Sequence, residues 1–155
     1  KLLNGTVYKD YVFRSASFPV SRRQCIPAVE AAIEQWNPSI VIGVGLADNR
    51  PGVCVERVAV NVADFPIRDP AQVSNTAGNF CCNMVMYSAL NYIAKHKLDA
   101  RAGFVHVPYT PEMVAKKAEQ LSTMSFENMK RAVEVVAKAT VDHAQDISLV
   151  CGACS

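Results

Sequence analysis

The sequence has almost no net charge and no long uninterrupted apolar run, and each shortage removes a class of function. Lys and Arg number 16 against 14 Asp and Glu, a formal charge of +2, and the basic residues are scattered. No basic stripe exists to neutralise a phosphate backbone or to hold an anionic bilayer, so neither nucleic acid nor a membrane surface is an expected partner. The apolar stretches are broken by Gly, Pro or a charge well short of the roughly 20 residues of a membrane span, and the start at Lys1 has no secretory layout. Low-complexity tracts and heptad repeats are also missing. What is present is a chain of 155 residues, 50% of them hydrophobic, which is enough for one domain with its own core, and residues 1–155 are read as such. The 6 cysteines would make three bridges in a secreted protein. Cys81 and Cys82 are adjacent, however, and a core of this size needs no staples, so reduced thiols in the cytoplasm are expected.

The chain is organised around Thr76-Ala77-Gly78-Asn79-Phe80-Cys81-Cys82-Asn83 and the apolar run from Met84 to Ala94 that follows. Met86, Leu90 and Ile93, with Val85 and Ala89 beside them, recur at helical spacing. Cys82 thus falls at a helix start, where unpaired backbone N–H groups favour negative charge, and its thiolate is expected to form more easily than at the usual pKa of about 8.5. A small buried hydrophobe opening a core helix would look the same locally, so the rest of the chain has to decide.

Taken in order, Asn4-Gly5 reads as a turn and Tyr11 to Ala16 as an edge strand. Pro27 is expected to open a helix with Val29, Ala32, Ile33 and Trp36 on one stripe, ended by Asn37-Pro38. Ser39 to Gly45 is apolar on both faces, as in a central parallel strand between helical layers, so the domain is expected to be α/β. The polar segment from Ala47 to Gly52 then lies at the ligand-binding end of that strand. Cys54 to Val62 reads as a second strand with Glu56 on the face of Val58, Val60 and Val62. A carboxylate there must be paired or hydrogen-bonded unless it escapes to solvent or to Arg57. A proline-containing loop from Phe65 to Gln72 leads into the Cys82 segment. Gly103 to Val107 is a third strand, stopped by Pro108, with His106 opposite in face to Val105 and Val107. Thr110-Pro111-Glu112 has the features of a capped helix start. A final helix from Ser125 carries Met129, Ala132, Val133 and Val136 on its apolar stripe. His96 and His143 read as solvated. Cys151-Gly152-Ala153-Cys154 reads as a tail, without the second pair that a metal site would need.

A thiol, an imidazole and a carboxylate, each at a strand or helix terminus, are the parts of an activated cysteine nucleophile. The segments that hold them, Val55 to Val62, Thr76 to Asn83 and Gly103 to Tyr109, resemble in order and spacing the signature blocks of the pyroglutamyl peptidase I (pyrrolidone carboxyl peptidase) family. The segment Met124-Ser125-Phe126-Glu127 agrees as well. The resemblance covers most of the chain. It implies a three-layer α/β/α sandwich on a mixed, mostly parallel twisted sheet. It also implies a cysteine omega-peptidase that releases pyroglutamate from peptide N-termini through an acyl-enzyme. By the same resemblance Cys82 is the nucleophile, His106 its general acid and base, and Glu56 the carboxylate that orients the imidazole. Phe80, Cys81 and Ile67 match apolar walls of the pyroglutamyl pocket, with Leu46 standing where the family has a glutamine near the substrate. No metal and no organic cofactor is implied. Peptides beginning with pyroglutamate are the expected partners, and a homo-oligomer is left open.

The sequence departs from that pattern in three places. The family's opening strand and Gly-Phe-x-Pro-Phe loop do not occur. A loop and helix are expected to be missing at the junction of Pro70 and Ala71. Besides Leu46, Pro66 stands where the family often has an arginine, with Arg68 nearby. A catalytically silent relative that binds a lactam or a peptide N-terminus is therefore the alternative reading. A transferase of the nucleoside phosphorylase kind would need a glycine-rich phosphate cradle, which the sequence lacks.

Overall fold

In the computed structural model, residues 3–47, 50–56, 58–59, 61, 78, 80–115 and 121–144 are described. Ile67, the 70/71 junction and the Cys-x-x-Cys tail lie outside them. Two seven-residue runs that are apolar on both sides pair in parallel: β3 (Ile40–Leu46) and β5 (Arg101–Val107), in register from Ile40 with Arg101 to Leu46 with Val107. β4 (Cys54–Glu56) joins the other edge of β5 antiparallel, with Cys54 opposite His106 and Glu56 opposite Phe104. The sheet order is therefore β3-β5-β4 and the sheet is mixed. This corrects the expectation that Ser39 to Gly45 is the central strand. Among the described residues β5 takes the middle, and Val44 and Leu46 of β3 are exposed. An apolar run reports that its faces can be covered, not how many neighbours it pairs with.

Alternation along β5 divides the layers. Ala102, Phe104 and His106 point to one face; Arg101 and Val105 point to the other. On the first face α1 (Arg22–Trp36) and α2 (Cys81–His96) pack together, with Val29, Ile33 and Ala89 closing over Val41 and Ala102. On the second face the Arg101 guanidinium donates to the carbonyls of Thr140, His143 and Ala144 at the end of α4 (Phe126–Asp142). α3 (Pro111–Val114) is a single turn. The result is an α/β/α sandwich.

Several boundaries differ from the sequence expectation. α1 begins five residues before Pro27, because the Ser21 carbonyl accepts from the N–H groups of Gln24 and Cys25 at 3.0 and 2.8 Å. Pro27 then sits inside the helix, where its missing N–H leaves the Arg23 carbonyl without its usual partner. The helix ends as expected at Asn37, whose φ of 42° is left-handed and whose N–H bonds the Ile33 carbonyl. Trp36 and Leu90 lie at the exposed rims of their stripes. The expected strand Tyr11 to Ala16 shrinks to β2 (Tyr11–Val12), which forms a separate hairpin with β1 (Val7–Tyr8) after a turn at Gly5 (φ +82°). That hairpin is tied to α4 by Tyr8 and Lys9, which both contact Asp142. Of the second expected strand, β4 covers Cys54–Glu56; the described residues 58, 59 and 61 are outside it, and Val58 is exposed rather than buried beside Glu56. Thr110 precedes α3 without a side-chain capping bond, whereas Ser125 does cap α4 by accepting from the Asn128 N–H at 3.3 Å.

Candidate active site

The face of the sheet beneath α2 gathers the polar groups. Glu56 and His106 come from neighbouring antiparallel strands, two positions apart in register, and so both side chains rise on that face. Both residues are only 4% exposed. The Nδ1 atom of His106 lies 2.6 Å from Oε1 of Glu56. A carboxylate only accepts, so Nδ1 carries the proton in this pair and Nε2 is left to act on other groups. Burial without a partner would be prohibitive for either residue, and each is the other's partner. Val58, expected on the same buried face as Glu56, is exposed.

A residue that the sequence reading missed completes the pair. The guanidinium of Arg50, in the loop between β3 and β4, donates from Nη2 to the same Oε1 at 3.2 Å. Sequence reading marked Ala47 to Gly52 as a ligand-binding loop but considered only Arg57 as a cationic partner of Glu56.

Cys82 reaches the same face from above. It is the second residue of α2, after Phe80 at the N-cap. A Cβ on Gly45 would come within 2.9 Å of the Cys82 sulfur and 2.8 Å of Cζ of Phe104, so the missing side chain of Gly45 is the space that the thiol occupies. Gly45 is the register partner of His106 on β3, which sets the thiol and the imidazole over adjacent strands on one face. The Phe104 ring, 5.0 Å from the imidazole centroid and tilted at 56°, forms the floor. Cys82 also packs against the cluster of Met86 and Phe104, as do Val85 and Ala59.

This packing reverses the expected direction for the thiol. Burial pushes Cys82 up to about 11, with Cys81 and Glu56 adding to the rise, while its own backbone N–H acts the other way. A helix terminus contributes about 0.3–1 kcal/mol, whereas desolvation of a buried group can shift a pKa by several units. Desolvation therefore prevails, and Cys82 keeps its proton at neutral pH until a base removes it.

The remaining candidates are placed as follows. Cys81 is buried, but it packs with Cys25 and Met84, in a cluster separate from that of Cys82. Phe80 is 37% exposed immediately before the two cysteines. Leu46 follows Gly45, so alternation turns its side chain to the opposite face from Cys82, where it is 44% exposed. Ile67 lies outside the described residues. Among the described residues no group of three His, Cys, Asp or Glu side chains is arranged to hold a metal ion. No helix among them is long and apolar enough to cross a membrane.

Comparison with known proteins identifies the family. The family model described as pyroglutamyl peptidase matches residues 1–70 and 68–143. A pyrrolidone-carboxylate peptidase of Brevibacillus brevis is 31% identical over 181 aligned positions, covering 92% of this chain and 84% of the relative. One from Clostridium perfringens is 36% identical, covering 87% and 80%. Among solved structures, pyroglutamyl peptidase I from Bacillus amyloliquefaciens superposes with a TM-score of 0.85 at 26% identity, over 96% of this chain and 87% of that one.

Proposed function

The chain belongs to the pyroglutamyl peptidase family, and from that premise we propose how its residues carry out the family's reaction, the removal of pyroglutamate from peptide N-termini. The observation that carries this reading is the buried 2.6 Å pair of His106 and Glu56 on the sheet face that also holds the Cys82 thiol.

His106 takes the thiol proton on Nε2 as the Cys82 sulfur attacks the carbonyl that joins pyroglutamate to the next residue. The thiol of about 11 makes this step a coupled one: attack and proton transfer proceed together instead of starting from a standing thiolate. Glu56 holds the imidazole in the required tautomer and balances the imidazolium that forms. The oxyanion is received by the Cys82 backbone N–H at the start of α2, where the helix dipole also favours it. Imidazolium then returns the proton to the departing amine, and the C–N bond breaks to leave a thioester. Water attacks that thioester with His106 as base, which releases pyroglutamate and restores the thiol.

Pyroglutamate presents a neutral lactam with no free α-amine, so its site calls for apolar walls and a few hydrogen bonds. Phe80, beside the nucleophile, suits the ring face, and the resemblance assigns Cys81 and Ile67 to the same pocket. The chain acts as one peptidase domain in the cytoplasm, consistent with Cys54, Cys81 and Cys82 being outside any disulfide. The family match divides at 68–70, where by the resemblance a loop and helix of the family are missing.

The test is release of a fluorophore from an L-pyroglutamyl amide by the reduced protein, beside Cys82→Ala and a prolyl amide control. Cleavage of the pyroglutamyl amide alone, abolished in Cys82→Ala, is expected. A folded, reduced protein that cleaves nothing would overturn the reading in favour of a relative that only binds.

A further inference from the structure

Glu56 has a second partner that the reaction scheme leaves without a task. Arg50 Nη2 and His106 Nδ1 converge on a single oxygen, Oε1 of Glu56, at 3.2 and 2.6 Å. The Arg50 and Glu56 side chains are 15% and 1% exposed, so this is not a solvent-screened surface pair. Removing a charge from water to this extent is costly, and a chain that needed only stability would do as well with an apolar contact.

Two consequences follow from the arrangement. A planar guanidinium bound to Oε1 resists rotation of the carboxylate, so the oxygen that faces His106 stays in place. The fixed positive charge also offsets part of the negative charge that the imidazole meets. A buried carboxylate acting alone would favour the imidazolium, which cannot take a proton from Cys82. The titratable and charged groups on this face are Glu56 and Cys54 from β4, Arg50 from the preceding loop and Cys82 from α2. Arg50 is the fixed cation among those.

We infer that Arg50 is a positioning residue for the peptidase: its guanidinium locks Glu56 Oε1 onto His106 Nδ1 and keeps the imidazole ready to accept the thiol proton. This rests on the roles given above to Cys82, His106 and Glu56, and it is tested in two arms that fail separately.

The first arm needs no substrate. In the free wild-type protein the hydrogen-bonded His106 Nδ1–H gives a far-downfield proton resonance in slow exchange. It is lost in Arg50→Gln and kept in Arg50→Lys. The Arg50 Nη groups rotate slowly in the wild type and freely in Glu56→Gln. The second arm is kinetic, on the pyroglutamyl amide. Arg50→Gln lowers kcat by about 10- to 100-fold with little change in KM, as expected for a misaligned base. The acid limb of its kcat/KM profile moves up, because the positive charge that opposed imidazolium formation has been removed. Arg50→Lys restores the limb. An Arg50→Gln protein that keeps both the downfield resonance and the wild-type acid limb overturns the inference. If Arg50→Gln does not fold, freely rotating Arg50 Nη groups in the wild type overturn it instead. A wild type that shows the resonance but cleaves nothing refutes the peptidase roles and leaves the Arg50 lock standing.

Discussion

Glu56 and His106 meet through one oxygen and one ring nitrogen, 2.6 Å apart, on strands β4 and β5 that are paired antiparallel. Because the contact uses Nδ1, it decides which nitrogen is free for chemistry. Glu56→Gln keeps the volume and removes the charge, and its amide can present a donor to Nδ1 and so favour the wrong tautomer. The expected loss in kcat is on the order of 10^3- to 10^4-fold, the scale seen when the carboxylate of a catalytic triad becomes an amide. Steady-state kinetics on the pyroglutamyl amide measure it. A loss below tenfold would mean that Glu56 only fills the space beneath α2.

The thiol makes a prediction in pH. With Cys82 raised to about 11 by burial, the protonated form dominates throughout the neutral range, and the nucleophilic thiolate accumulates only as pH approaches that value. In His106→Ala, where no base stands beside it, alkylation of Cys82 by iodoacetamide should rise about tenfold per pH unit from 7 to 10 without levelling off. Peptide mapping by mass spectrometry separates Cys82 from Cys54. A plateau below about pH 9 would show that the helix terminus, not burial, sets the thiol.

How far this site can be read from the sequence depends on the range of the interactions involved. A cysteine before an apolar helical run and a histidine opposite Val105 in a short strand are local patterns, and they place Cys82 and His106 at the termini where the fold has them. Glu56 is visible as a charge in an apolar strand, although its partners are His106 and Arg50 and the expected neighbour Val58 is exposed. Arg50 could not be assigned, because its contact depends on how the loop returns to β4. The direction of the Cys82 shift was missed for a related reason: the helix start is written locally, while the Phe104 side chain packed against the thiol arrives from β5 by tertiary packing. Pro27 misled in the opposite way. Its preference for a first helical turn is real, but the bonds from Gln24 and Cys25 to Ser21 had already started the helix.

Gly45 tests whether the thiol's position matters apart from its chemistry. An alanine there would place Cβ within 2.9 Å of the Cys82 sulfur and 2.8 Å of the Phe104 ring, and the ring is held in the core. The thiol is the part that can move. Gly45→Ala should lower kcat/KM by about 100-fold, the effect of roughly 1 Å of misplacement. The accompanying stability loss should be about 1–3 kcal/mol. Gly103→Ala is the control, since nothing lies within 4 Å of its added Cβ. It should change stability by less than about 0.5 kcal/mol and leave kcat/KM unchanged. Equal losses of activity in both variants would remove the steric argument.

Arg101 separates the stability of the fold from the chemistry of the site. It opens β5, the strand that carries His106, yet its guanidinium lies on the far face. There it donates to the carbonyls of Thr140 and His143 at 2.7 and 2.8 Å, and more weakly to that of Ala144 at 3.4 Å. These carbonyls belong to the end of α4, where helical partners run out and a cation also meets the negative end of the dipole. The bonds are exposed, so Arg101→Met should lower the unfolding free energy by only about 1–2 kcal/mol, read as a shift of the urea midpoint at constant m. The His106 and Glu56 pair is buried on the opposite face, and kcat at a temperature well below unfolding should stay within twofold of the wild type. A kcat that falls together with stability would mean that α4 helps to hold β5 in place for catalysis.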